Sequence, residues 1–199
     1  MTDSVTPGDE SVEEPAAEAV DEPVEGEVAA AVEDRVLPDD VLLSGLAESF
    51  EGATFTAFEP PTGPRQDVVS VDRADVVAFV TSARDSGFET FIDLCAVDHF
   101  TREPRFDVVV NLLSMQHAKR LRIVVGLTHE DPVIPSLTGV FAGANFYERE
   151  AWDLFGIRFT GHPDLTRLLL PDEWVGHPLL KDQGVGSVPI RFKGVHKAT

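Results

Sequence analysis

Cysteine is nearly absent: Cys95 is the single one in 199 residues. That excludes an intrachain disulfide, a thiolate-rich metal site and an iron–sulfur cluster held by this chain, and it fits a reducing compartment. Basic residues are scarce as well. Sixteen Lys and Arg stand against 35 Asp and Glu, for a net charge of −19, so phosphate backbones and anionic lipid surfaces would repel the chain. No apolar run approaches the length of about 18 residues that a spanning helix needs. The opening MTDSVTPGDESVEE lacks the basic region and apolar core of a secretory signal. No glycine-rich loop ends in Lys-Ser or Lys-Thr, and no GxGxxG joins a strand to a helix. Gly184-Val185-Gly186 is a lone GxG with nothing to make it a nucleotide site.

Three regions follow from composition. Residues 1–34 hold 12 acids, no base and no aromatic, too little apolar surface to offset the entropy of ordering, so a disordered acidic tail is expected. Residues 35–157 read as a globular α+β domain. Order is expected from Leu37-Pro38, where Asp39 or Asp40 can cap a short helix carrying Val41, Leu42, Leu46 and Phe50. The turn-rich PPTGPR at 60–65 precedes a strand at Val68, Val69 and Val71. Asp72 is placed to cap a helix with Val76, Val77, Phe79, Val80 and Ala83 at helical spacing, stopped at Gly87. Phe91–Val97 reads as a strand, with Cys95 a small buried hydrophobe within it. Phe106–Leu113 reads as a near-continuous buried strand, and Arg120–Val125 as its antiparallel hairpin partner with one wet face. This order predicts an antiparallel or mixed sheet with helices on one side. Residues 158–199 carry Pro163, Pro171 and Pro178, so an extended segment laid on a partner is expected.

Chemistry-bearing residues gather between 136 and 183. Ser136 can cap a helical run that breaks near Gly143 and continues through Asn145 to Phe155, where Gly156 ends it. His162, His177 and an acid such as Asp164 could form a mononuclear metal site; backbone-anchoring hydrogen bonds explain both Gly-His-Pro triplets equally. At about 100° per residue, Val140, Ala144, Tyr147, Ala151, Leu154 and Phe155 share an apolar sector, flanked by Phe141 and Trp152. Glu148 projects inside that sector. Arg149 and Asp153 point the other way and can pair at i, i+4. A carboxylate in an apolar sector needs a partner or a task. It is either one half of a buried ion pair, with Arg158, Arg167 or a partner's base as counter-charge, or a general acid/base with a raised pKa.

The run Tyr147-Glu148-Arg149-Glu150-Ala151-Trp152-Asp153-Leu154-Phe155-Gly156-Ile157 resembles the signature of the thirty-kilodalton subunit family of proton-pumping NADH–quinone oxidoreductase, respiratory complex I. The resemblance continues through Gly161-His162-Pro163-Asp164-Leu165, Arg167-Leu168-Leu169-Leu170-Pro171, Trp174, Gly176-His177-Pro178-Leu179 and Lys181-Asp182. The sequence departs from the family's habit at Thr166, Leu180 and Gln183-Gly184-Val185. The resemblance implies a non-catalytic structural subunit of the peripheral arm, on the cytoplasmic face of the cell membrane. It implies other peripheral-arm subunits as partners: foremost the quinone-site subunit that some bacteria fuse to this family, and the cluster-bearing subunits beside it. FMN and iron–sulfur clusters would lie in those partners, with none here. NADH and quinone would be substrates of the whole complex. Glu148, Arg149, Glu150, Asp153, Phe155, Gly156, His162, Pro163, Arg167, Pro171, His177, Pro178, Lys181 and Asp182 would then be structural or interface residues. Two other readings stand beside it: the equivalent subunit of a membrane-bound hydrogenase or other dehydrogenase complex, and a free-standing hydrolase using Glu148, Glu150 and His162.

Overall fold

Helix α1 (Val41–Ser49) starts where Asp40 accepts the Leu42 N–H at 2.8 Å, as its capping position requires. The computed structural model describes residues 40–58 and 66–182; the expectations for the acidic tail, Leu37-Pro38, the 60–65 turn and the 184–186 triplet lie outside them. Leu43, Leu46 and Ala47 carry the buried face of α1, while Leu42 and Phe50 are half-buried. Strands β1 (Thr54–Phe58) and β2 (Gln66–Ser70) pair antiparallel. Helix α2 (Val76–Asp85) buries Val76, Phe79, Val80 and Ala83 and gives way to Gly87 at φ +113°. Its cap position is Asp75, not the expected Asp72. The Asp75 N–H bonds the Asp72 carbonyl in a preceding turn, which pushes the helix start three residues on.

Strands β3 (Thr90–Asp98), β4 (Phe106–Ser114) and β5 (Lys119–Leu127) form an antiparallel meander, and β2 joins β5 in parallel. The order is β1-β2-β5-β4-β3, a mixed sheet with its helices on one side. Phe106, Val108, Val110 and Leu112 of β4 and Leu121, Ile123, Val125 and Leu127 of β5 fill the core beneath those helices. Their alternate neighbours remain half-exposed, so β4 is not the near-continuous buried strand its composition suggests. One sheet face is simply left open. The same geometry corrects the reading of Cys95. It is exposed, because it sits opposite Val109 on that open face and on the edge strand.

After β5 come β6 (Val133–Pro135), helix α3 (Ala144–Phe155) and β7 (Arg158–Thr160), with β6 and β7 paired in parallel. Ser136 does not cap α3. Turns centred on Leu137 intervene, and the cap position is Gly143, which offers no side chain. Gly156 ends α3 in the left-handed conformation at φ +78°, its N–H on the Trp152 carbonyl. A Cβ there would lie 2.8 Å from the His177 ring, so both the φ and the close approach demand glycine.

Candidate functional site

Helix α3 carries two acids that solvent does not reach, Glu148 and Asp153. Their surroundings differ completely. The Glu148 carboxylate accepts the Leu137 N–H at 2.6 Å and the Ser136 hydroxyl at 2.7 Å. Ser136 also pairs with the Thr138 hydroxyl and accepts the Thr138 N–H. Glu148 thus ties α3 to the loop leaving β6, without a cation. Burial drives its pKa above the ordinary carboxylate range. The Ser136 hydroxyl, the Leu137 N–H and the nearby His162 pull the other way without reversing that.

The ion pair expected at Glu148 is found at Asp153 instead. One Asp153 oxygen takes the Arg167 guanidinium at 2.6 Å; the other accepts three successive backbone N–H groups, Leu168, Leu169 and Leu170, at 3.0, 2.8 and 3.0 Å. Burial alone would raise the pKa, but the N–H groups of Leu170 and Leu169, the Arg167 guanidinium and the Leu168 N–H hold it down to about 2. Helical geometry turned Asp153 away from the apolar sector correctly. What it could not show is that residues 167–170 come back to cover that side. Arg158 stays exposed on β7 and pairs with neither acid.

The other signature residues fasten the same returning segment. Arg149, expected to pair with Asp153, donates from Nε to the Thr166 carbonyl at 3.1 Å and from Nη2 to the Thr166 hydroxyl and the Arg167 carbonyl, each at 3.0 Å. Thr166, one of the departures from the family pattern, accepts a bond there that no basic side chain could accept. Arg167 donates onward to the Trp174 carbonyl at 2.8 Å and its guanidinium lies over the Trp152 ring. His177 bonds the Asp153 carbonyl through Nδ1 at 2.9 Å, and the Leu179 N–H bonds the Leu154 carbonyl. His162 accepts the Asp164 N–H on Nδ1, so its Nε2 donates to the Asn145 carbonyl at 3.2 Å. Both Gly-His-Pro histidines are therefore backbone anchors. No group of three His, Cys, Asp or Glu side chains gathers as metal ligands among the described residues. Glu150 is exposed while Glu148 is sealed, so the hydrolase constellation does not assemble. Pro163 and Pro171 are exposed; Phe155 and Pro178 are half-buried.

A second cluster closes the far end, and sequence reasoning missed most of it. Arg105 forms a two-pronged pair with Asp98 at 2.9 Å on each oxygen and meets Asp182 at 2.8 Å. Asp98 also accepts the Phe100 and Lys181 N–H groups. Arg105 lies against the Phe100 and Phe106 rings. The Arg105 pair holds the Asp98 carboxyl well below its usual range. The legible signal was Asp98 and Arg105 flanking the β3–β4 hairpin, where opposite charges meet across the strand ends.

This arrangement, a helix clasped by its own downstream chain, coincides with a family match. A family model described as "Respiratory-chain NADH dehydrogenase, 30 Kd subunit" matches residues 69–187. The chain belongs to this family. An NADH-quinone oxidoreductase subunit from Roseiflexus sp. (strain RS-1) is 46% identical over 118 residues, covering 59% of this chain and 68% of that relative. Among solved structures, the trypsin-resistant fragment (1-134) of Nqo5 matches with a TM-score of 0.51 and 32% identity over 56% of this chain and 89% of that one. A chain of the archaeal membrane-bound sulfane sulfur reductase, a respiratory membrane complex, shares the fold: TM-score 0.57 at 16% identity, covering 79% of this chain and 96% of that one. Within the matched region, Arg149, Asp153 and His177 hold the returning residues 166–177 against α3. No helix among the described residues is long and apolar enough to cross a membrane.

Proposed function

We propose that this chain is a non-catalytic structural subunit of the peripheral arm of a proton-pumping NADH–quinone oxidoreductase, supporting electron transfer from NADH to quinone. The family match over residues 69–187 carries the reading. The geometry supports it: Glu148, Asp153, Arg167, His162 and His177 are all engaged in holding α3, the loop after β6 or the returning segment. FMN, the iron–sulfur clusters and the quinone site belong to partner subunits in this reading. The quinone-site subunit that some bacteria fuse to this family and the cluster-bearing subunits beside it are the neighbours, on the cytoplasmic face of the membrane. Residues 158–199 are the partner-binding region; the outward Leu168, Leu169, Val175 and Leu179 side chains support that assignment. The acidic residues 1–34 are dispensable in the same reading, and their deletion leaves assembly unchanged.

Glu148→Ala in the native complex tests the role. Native-gel abundance of the complex is expected to fall while NADH:quinone turnover per assembled complex stays normal. Normal abundance with turnover down about a hundredfold, the signature of a lost general acid or base, would overturn a structural role. A second reading, the same position in a respiratory complex with another electron donor, draws on the fold shared with the archaeal reductase chain. Co-purifying chains that lack an NADH-oxidising module would favour it.

A further inference from the structure

Strand β3 is an outer strand of the five-stranded sheet and nine residues long. Among the described residues, no backbone hydrogen bond reaches its outer edge between Thr90 and Val97. Open edges of this length are ordinarily guarded by lysines, prolines or inward charges. Here the guards are missing. The strand's two acids are both consumed within the fold, Asp93 by the Asn111 amide at 2.6 Å and Asp98 by Arg105, and the remaining residues are Thr, Phe, Ile, Leu, Cys, Ala and Val. A bulge between Phe91 and Asp93 is the one irregularity.

Beside this edge lies a cleft of about 220 Å³, walled by Leu94 and Ala96 of β3, by Tyr147 and Leu154 of α3, and by Leu179 of the returning segment. Glu150 stands at its margin and has no ion-pair partner among the described residues. Cys95, which also borders the cleft, and Val97 alternate onto the other face of the strand and are exposed. The other outer strand, β1, has five residues, and a hollow that Thr54 borders includes Asp72, Arg102 and Asp107 in its lining. β3 thus combines, among the described residues, a free backbone edge with apolar surface on both faces.

We propose that the outer edge of β3 is a strand-addition site, taking an extended, apolar segment of a neighbouring chain whose alternate side chains enter the cleft beneath α3. The unpaired N–H and C=O groups select an extended backbone, and the two apolar faces select Val, Ile or Leu on both sides of it. Glu150 selects a Lys or Arg at the segment's margin. This deepens the reading of the chain as a complex subunit, and rests on it: the strand donor is another subunit.

Two measurements on the purified native complex and the isolated full chain decide it. Hydrogen exchange resolved to single amides is expected to show alternate β3 amides slowed about a hundredfold or more in the complex relative to the isolated chain. Maleimide modification of Cys95, the only cysteine of the chain, is expected to slow about tenfold in the complex, because the added strand crowds it. Ala96→Lys, which places a charge in the cleft, is expected to reduce recovery of the chain with its complex about tenfold. Met115→Lys, on the exposed hairpin turn, leaves recovery unchanged. Co-purification with unchanged β3 exchange would sink the docking site while leaving the subunit role intact. Cys95 shielding without alternate amide protection would mean a partner covering the face, not an added strand, and would also sink it. Protection already present in the isolated chain would make the occupant part of this chain and overturn the proposal. Failure to co-purify with any respiratory complex would overturn both readings, and the pull-down shows that before any exchange is measured.

Discussion

Two carboxylates five residues apart on one helix are equally hidden from solvent, yet they sit on opposite sides of the ordinary pKa. Glu148 meets one hydroxyl and one N–H; Asp153 meets a guanidinium and three N–H groups. Burial costs both of them hydration. Only the second set of donors outweighs that cost. Being buried is therefore not what makes a carboxylate ionised or neutral; the count and charge of its donors decide.

Asp153→Ala should do the most damage. It strands Arg167, whose side chain is 14% exposed, and three N–H groups at once. A loss of about 3–5 kcal/mol is expected, read from urea unfolding of the isolated chain. An unchanged midpoint would show that the returning segment contributes nothing to the domain. Glu148→Ala removes a sealed side chain and two acceptor sites without orphaning a cation, so about 2–3 kcal/mol is expected from the same measurement.

Amide replacement sharpens the contrast. In Glu148→Gln the amide oxygen keeps the Leu137 N–H, and the Ser136 hydroxyl can turn to accept from the new NH2. The cost should stay below about 1 kcal/mol. Asp153→Asn cannot escape so easily. Its NH2 must face either Arg167 or three N–H donors, and about 2 kcal/mol is expected. Equal costs at the two positions would erase the distinction between them.

The smallest expected effect is in the pH dependence, and its sign differs between the two acids. Asp153 has a lowered pKa, so its contribution is full above the unfolded value of about 3.9 and is lost as pH falls towards about 2. Glu148 has a raised pKa. Its folded form holds the proton more tightly, so its contribution is full below the unfolded value of about 4.3 and fades as pH rises through the folded one. Wild type minus Glu148→Gln should thus decline with rising pH above about 4.3, whereas wild type minus Asp153→Asn should climb from about pH 2 to 4 and then level. Parallel curves would show that the two sites are electrostatically alike.

Much of the fold was readable because its signal is local. The Val76–Ala83 spacing, the alternation along β5 and the stop at Gly156 all report on neighbours a few residues away. β6 and β7 were not readable. Each spans three residues, and their parallel pairing joins Val133 to Arg158 across the whole of α3. The site was half legible. Helical angles placed Glu148 inside correctly, but they treat everything opposite the core as solvent, and so could not show the chain returning over Asp153. The counter-charge was then assigned to the wrong acid. The Asp98–Arg105 pair escaped for a related reason: its meaning depends on the β3–β4 register, which brings Asp98 opposite Phe106.

The bond from the Lys181 N–H to Asp98 spans 83 residues of chain. Asp98 meets Arg105 only seven residues on, so as the chain leaves the ribosome that pair is complete long before Lys181 is made. Loop-closure entropy enforces the same order in a full-length chain refolding from denaturant. The hairpin acts as a latch that is set first and engaged last. Residues 177–182 can dock only on a sheet whose edge has already formed, and they are the first to lift off when the domain breathes. A protease sampling that breathing should nick the chain beyond α3 while leaving the meander whole.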